Sequence, residues 1–214
     1  MELSLYHLVR EPKDKKEKNP LLLLLHGYGS NEEDLFSFAA QLPDEYYIIS
    51  ARAPYSLPPY GNAWYAISFD NDMNKFSDDT QAIASRDLIA KFIDEVVEAY
   101  PIDKDRVTLV GFSQGTILSY AVALTYPEKI EQVLALSGYL NMDIVGGDLN
   151  KKDISKLRFF ISHGTVDQVI PVEWARKAPE FLKTLGLETE YHEYPVGHGV
   201  APQNFYDMLA WLKK

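Results

Sequence analysis

The chain has 214 residues, 46% of them hydrophobic and 24% charged, enough for one sizeable core and short for two, so a single domain over 1–214 is expected. Its 21 Lys and Arg against 31 Asp and Glu give a formal charge of −10, which opposes nonspecific binding to phosphate backbones or anionic lipid and excludes nucleic acid as an expected partner. The absence of cysteine rules out disulfides, a thiolate nucleophile and thiolate metal sites, and it agrees with a reducing, cytoplasmic setting.

The N-terminal M-E-L-S-L-Y-H-L-V alternates apolar and polar residues, so Leu3–Val9 reads as an outer strand rather than a signal peptide. The mixed-charge R-E-P-K-D-K-K-E-K-N-P stretch then reads as a solvated turn. Leu21–Leu25 is uniformly apolar, the mark of a strand covered on both faces of a mostly parallel sheet. At five residues it is far below the ~20 needed to span a bilayer, so no stable membrane insertion is expected.

Further strands are expected at Tyr46–Ser50, Val107–Val110, Val133–Ser137, Arg158–Ser162 and Glu190–Tyr194. Helices are expected at Glu32–Gln41, Asp79–Tyr100, Gln114–Tyr126, Glu173–Leu185 and Gln203–Leu212. The helix from Asp79 has Asp78 or Asp79 as its N-cap and Pro101 as its stop. Strands alternating with helices imply an α/β fold, a parallel sheet with helices on both faces. Two segments stand outside that alternation: residues 53–77, rich in Pro, Asn and aromatics and read as a packed flap, and a shorter excursion over 138–156.

The box G-F-S-Q-G at 111–115 follows an apolar β-branched run and precedes a helical one, the context that turns a G-x-S-x-G match into a strained, exposed nucleophile turn. Ser113 taken alone is equally an N-cap after a strand. A serine nucleophile on such a sheet needs an acid and a histidine after it in that order, and the downstream histidines are His163, His192 and His198. His198 lies in the glycine-flanked loop P-V-G-H-G-V, His192 within an alternating strand, and His163 before every plausible acid, where it is expected to support a turn. Asp167, in the loop leaving the Arg158–Ser162 strand, is favoured over Asp143, Asp148 and Asp153, which no strand precedes. Two N–H groups should form an oxyanion hole, one from Gln114 and one from H-G-Y-G at 26–29, with Tyr28 the candidate and His26 packed beneath the loop.

Taken together, H-G-Y-G-S-N, G-F-S-Q-G-T, H-G-T-V-D-Q-V-I-P and G-H-G-V resemble the carboxylesterase and acyl-protein thioesterase family of small α/β hydrolases over nearly the whole chain. The resemblance implies Ser113, Asp167 and His198 as a triad, Tyr28 and Gln114 as the hole, and Trp64 in N-A-W-Y near an acyl site. The chain departs from the family pattern at Thr116, where a glycine is usual, and at Tyr28, where a leucine is usual and a tyrosine would narrow the acyl pocket.

No separate cap domain interrupts the strands, so a shallow site is expected, walled by Trp64, Tyr65, Phe112, Val169 and Val200 and suited to small or medium apolar acyl groups. No H-E-x-x-H or other ligand-spaced cluster occurs, and neither a catalytic metal nor a cofactor is expected. The leading expectation is hydrolysis of small esters. The alternatives are deacylation of thioesters, lysophospholipids or acylated proteins along a longer groove, and a ligand-binding protein on a hydrolase scaffold that has lost turnover.

Overall fold

A computed structural model of the protein describes residues 3–69 and 75–214. The apolar run at 21–25 becomes β2 (Asn19–Leu25), buried at all seven positions. Its leucines divide between two layers, Leu21, Leu23 and Leu25 packing into one core cluster and Leu22 and Leu24 into another. Successive side chains of a strand point to opposite faces, so a fully apolar strand is what a sheet covered on both sides demands.

Around β2 lie β1 (His7–Arg10) and β3 (Tyr47–Ala51) on one side and β8 (Ile102–Phe112), β9 (Gln132–Leu136), β10 (Arg158–Gly164) and β11 (Glu188–Tyr194) on the other. The order is β1-β3-β2-β8-β9-β10-β11, with β1 antiparallel at one edge and every other pairing parallel. The first core holds α2 (Asp79–Ala99), α3 (Gln114–Thr125) and α4 (Val172–Thr184) against the sheet; the second holds α1 (Glu33–Phe36) and α5 (Pro202–Leu212). Helix α3 is buried from Gln114 to Leu124, which is why its sequence is apolar all round. Helix α2 is capped by Asp78, whose side chain accepts the N–H of Gln81.

Three expectations change, the first at the outer strand, expected over Leu3–Val9 and formed as β1 only from His7 to Arg10. The first expected helix, Glu32–Gln41, closes after Phe36 and resumes only as a 3-10 turn at Ala39–Gln41. Ser37 Oγ donates to the Asp34 C=O, a local bond that competes with the helical one, and Arg10 takes the carbonyls of Ala39, Leu42, Pro43 and Tyr46. Strand β8 starts five residues before Val107, because an irregularity in its ladder with β2 accommodates the polar D-K-D-R lead-in.

The 53–77 flap, of which residues 70–74 lie outside the described residues, carries two short hairpins. They pair β4 (Tyr55–Ser56) with β5 (Asn62–Ala63) and β6 (Ile67–Phe69) with β7 (Lys75–Ser77). The 138–156 excursion is fastened by Arg86, which donates to the Ile144 C=O at 2.6 Å, and by Lys152, which donates to the carbonyls of Leu124, Thr125 and Gly146. Among the described residues no helix is long and apolar enough to cross a membrane.

Candidate active site

Ser113 sits between β8 and α3 with φ 54° and ψ −115°, left-handed backbone that a non-glycine residue adopts only at a cost of order 1–3 kcal/mol. Close crossing enforces it. A Cβ on Gly115 would lie 2.0 Å from the Leu25 carbonyl oxygen, and one on Gly111 would lie 2.6 Å from the Gly115 backbone. The turn lifts Ser113 to the carboxyl ends of the parallel strands, with β8 and α3 packed tightly beneath it.

Two loops from neighbouring strand ends meet it there. His198, after β11, puts Nε2 2.9 Å from Ser113 Oγ and Nδ1 2.7 Å from Asp167 Oδ2. Asp167, after β10, is fixed through its other oxygen, which accepts the N–H groups of Val169 and Ile170 at 2.8 and 2.9 Å. Burial pushes this carboxyl up, but the N–H of Ile170, the His198 imidazole and the N–H of Val169 outweigh it and hold the group below its ordinary value. Asp167 is therefore an anion, and as an acceptor it requires the Nδ1–H tautomer of His198, leaving Nε2 free to accept the Ser113 proton.

The H-G-Y-G loop leaves β2 beside this group. Among the described residues neither the N–H of Tyr28 nor that of Gln114 has a protein acceptor, while Gly29, at φ 77°, donates to the Asn62 C=O. Beneath the loop His26 is fully buried. Its Nδ1–H donates to the Gly27 C=O and its Nε2 accepts the Ala53 N–H, which fixes one neutral tautomer, and burial pushes its pKa down. Glu32 closes the loop with a two-pronged contact to Arg52 at 2.6 and 2.5 Å, which holds its carboxyl below the usual range.

A cavity of about 280 Å³ opens from Ser113. Tyr28, Tyr65 and Val169 line it; Trp64, Phe112 and Val200, expected as walls, do not. Trp64 is fully buried, its indole N–H donating to the His26 C=O, so it supports the loop from below. The ring of Phe112 packs 5.0 Å from that of His198, and both Phe112 and Val200 lie against the core on the α5 side of the sheet. The remaining walls are Ile67, Ser77, Ile117, Tyr139 and Ile170. Ile117 was within reach of a sequence reading, one helical turn after Ser113 on the same face; Ile67, Ser77 and Tyr139 come from the flap and the excursion, whose paths no periodicity encodes.

Of the other candidates, His192 pairs with Glu190 along β11, away from this group. His163 is fully buried and donates from Nε2 to the Ile170 C=O at 2.8 Å, bracing the turn that carries Asp167. Thr116 ties α3 down through Oγ1, which lies 2.7 Å from the carbonyl oxygens of Gly111 and Leu136 and accepts the Leu136 N–H. Among the described residues no cluster of His, Asp and Glu is arranged to hold a metal ion.

A mostly parallel sheet of this order with a serine in a strand-to-helix turn, and a histidine and an aspartate delivered from later strand ends, defines an α/β hydrolase. The sequence profile of the phospholipase/carboxylesterase family matches residues 6–214, and the chain belongs to that family. It is 27% identical over 230 residues to acyl-protein thioesterase 1 of Mycosarcoma maydis, with 97% of this chain and 95% of that protein covered. Among solved structures, the Bacillus cereus carboxylesterase superposes with a TM-score of 0.85 at 20% identity, covering 98% and 94% of the two chains. Esterase PE8 does so with 0.82 at 25%, covering 100% and 99%. The protein is an enzyme, a serine hydrolase that cleaves esters.

Proposed function

We propose that Ser113 is the nucleophile, His198 its general base and Asp167 the orienting acid, in the hydrolysis of carboxylic esters with small or medium apolar acyl groups. The unbroken line of hydrogen bonds from Ser113 Oγ through His198 to Asp167 Oδ2 carries this reading. Ser113 Oγ attacks the acyl carbon while His198 Nε2 takes its proton. The oxyanion that forms accepts hydrogen bonds from the N–H groups of Tyr28 and Gln114, each worth ~10²–10³ in rate. His198 returns the proton to the departing alkoxide, then activates water to release the acid and regenerate Ser113.

The acyl preference follows from the cavity. About 280 Å³ lies just below the range usual for ligand pockets, roughly 300–1,000 Å³, and favours a short chain. Tyr65, a buried wall whose hydroxyl burial keeps protonated, and Tyr28 at the mouth further limit its length. A second reading, release of acyl groups from thioesters, is favoured by the likeness to acyl-protein thioesterase 1 along 97% of the chain. The same three residues would serve, since a thiolate needs less acid assistance to leave than an alkoxide. The acidic, cysteine-free composition supports a cytoplasmic setting and a small-molecule substrate over a nucleic-acid partner.

Rates on p-nitrophenyl esters of increasing acyl length, alongside the matching thioesters, test this. An optimum at two to about eight carbons is expected; an optimum beyond about ten would overturn the short-acyl reading in favour of a longer groove.

A further inference from the structure

His163 is the one fully buried imidazole close to Asp167 that the proton transfers do not use. Its Nε2 lies 2.8 Å from the Ile170 carbonyl oxygen and 3.3 Å from Asp167 Oδ2, the oxygen that also accepts from His198. A carbonyl oxygen only accepts, so Nε2 carries the hydrogen. The other ring nitrogen, Nδ1, is buried and among the described residues has no hydrogen-bond partner. An unsatisfied buried ring nitrogen costs stability, so a group that merely filled space here would be better apolar.

Ile170 is held from both sides, its N–H by Asp167 Oδ1 and its C=O by His163. The turn 164–170 is thus closed at its far end onto the strand that launches it, with Asp167 and His163 bonded to either side of Ile170. Asp167 faces His163 within the turn and Glu193, itself held by Arg176, lies opposite it across the ladder on β11.

We propose that His163 is a positioning residue for the reaction: through its Nε2–H it locks the Asp167–Ile170 turn so that Oδ2 meets His198, and acts on the rate only through Asp167. The proposal rests on the reading of Asp167 as the acid of the triad, and the test separates the two. With p-nitrophenyl butyrate as substrate, His163→Leu is expected to lower kcat roughly 10-fold, the size of one lost orienting hydrogen bond, with KM within about 2-fold. His163→Gln, whose amide can still donate, is expected to recover most of the loss.

In an Asp167→Asn background the His163 substitutions should cost less than about 2-fold further, because the partner they act through is already disabled. A loss that adds in full to that of Asp167→Asn, or a folded His163→Leu enzyme with unchanged kcat, would overturn the positioning role while leaving the triad standing. An Asp167→Asn enzyme of native kcat would overturn the triad reading itself. Should His163→Leu not fold, nitrogen-15 spectra of the native enzyme decide: a hydrogen on Nε2 of His163 is expected, and a ring that carries its hydrogen on Nδ1 alone would refute the proposal.

Discussion

The side chain of Gln114 carries the backbone of Trp64: Oε1 accepts the Trp64 N–H at 2.8 Å, while Nε2 donates to the next carbonyl, that of Tyr65, also at 2.8 Å. Ser85 Oγ bonds the Trp64 C=O and Gln81 Oε1 accepts the Ala66 N–H, so side chains of α2 and α3 supply what a strand partner would. The flap is therefore tied to the residue whose own N–H is proposed as an oxyanion donor.

Replacing Gln114 with methionine keeps the volume and removes both bonds. Each buried backbone group left unpaired costs about 1–3 kcal/mol, so a marked fall in the thermal unfolding midpoint is expected, together with a higher KM as Tyr65 loses its anchor. A variant with the native midpoint and native KM would show that the clamp contributes nothing.

Tyr28 should separate side chain from backbone. The residue is 43% exposed and lines the cavity, while the proposed donor is its N–H. Tyr28→Leu is expected to leave kcat on p-nitrophenyl acetate within about 3-fold and to move the chain-length optimum upward. A loss near 10²-fold on the short ester would mean that the hydroxyl takes part in the chemistry.

Ile117 is a buried wall one turn beyond Ser113. Ile117→Ala enlarges the cavity and should lengthen the preferred acyl chain, at a stability cost of about 2–5 kcal/mol for a buried side chain cut back to alanine. Activity profiles on the ester series, read at a temperature where the variant is fully folded, check the shift; an unchanged optimum would place the acyl group elsewhere.

Acid should weaken the join between α4 and β11. Glu193 accepts Nε and a terminal nitrogen of Arg176 at 2.7 and 2.8 Å, and chiefly this contact pulls its pKa from 4.5 to about 2. A carboxyl depressed in the folded state stabilises the protein above its unfolded pKa and loses that contribution as pH falls through the folded one. Glu193→Gln should therefore be less stable than the native enzyme at pH 7, with the gap in denaturant midpoint closing between pH 4.5 and about 2. A gap that stays constant over that window would contradict the assignment.

The candidate triad was legible because chain order and glycine spacing are local signals: G-F-S-Q-G, the aspartate after the Arg158 strand and G-H-G each announce themselves within a few residues. The sheet was legible because buried parallel strands must be apolar on both faces, as Leu21–Leu25 is. The cavity wall was not. Trp64 and Val200 are as apolar as Ile67 and Ile117, and only the path of the flap and the facing of α3 and α5 decide which of them meets the site. Gln114 shows the same limit, since its place after the serine points to the backbone N–H while the reach of its side chain to Trp64 is a tertiary fact.

The assignment of Ser113 as nucleophile is tested most directly by mass spectrometry of the enzyme after reaction with a fluorophosphonate, paired with rates for Ser113→Ala. One stoichiometric adduct on the peptide containing Ser113 is expected, together with a loss of kcat on p-nitrophenyl esters on the order of 10⁴-fold or more in the alanine variant. An adduct on another residue, or an alanine variant that hydrolyses these esters at the native rate, would contradict it.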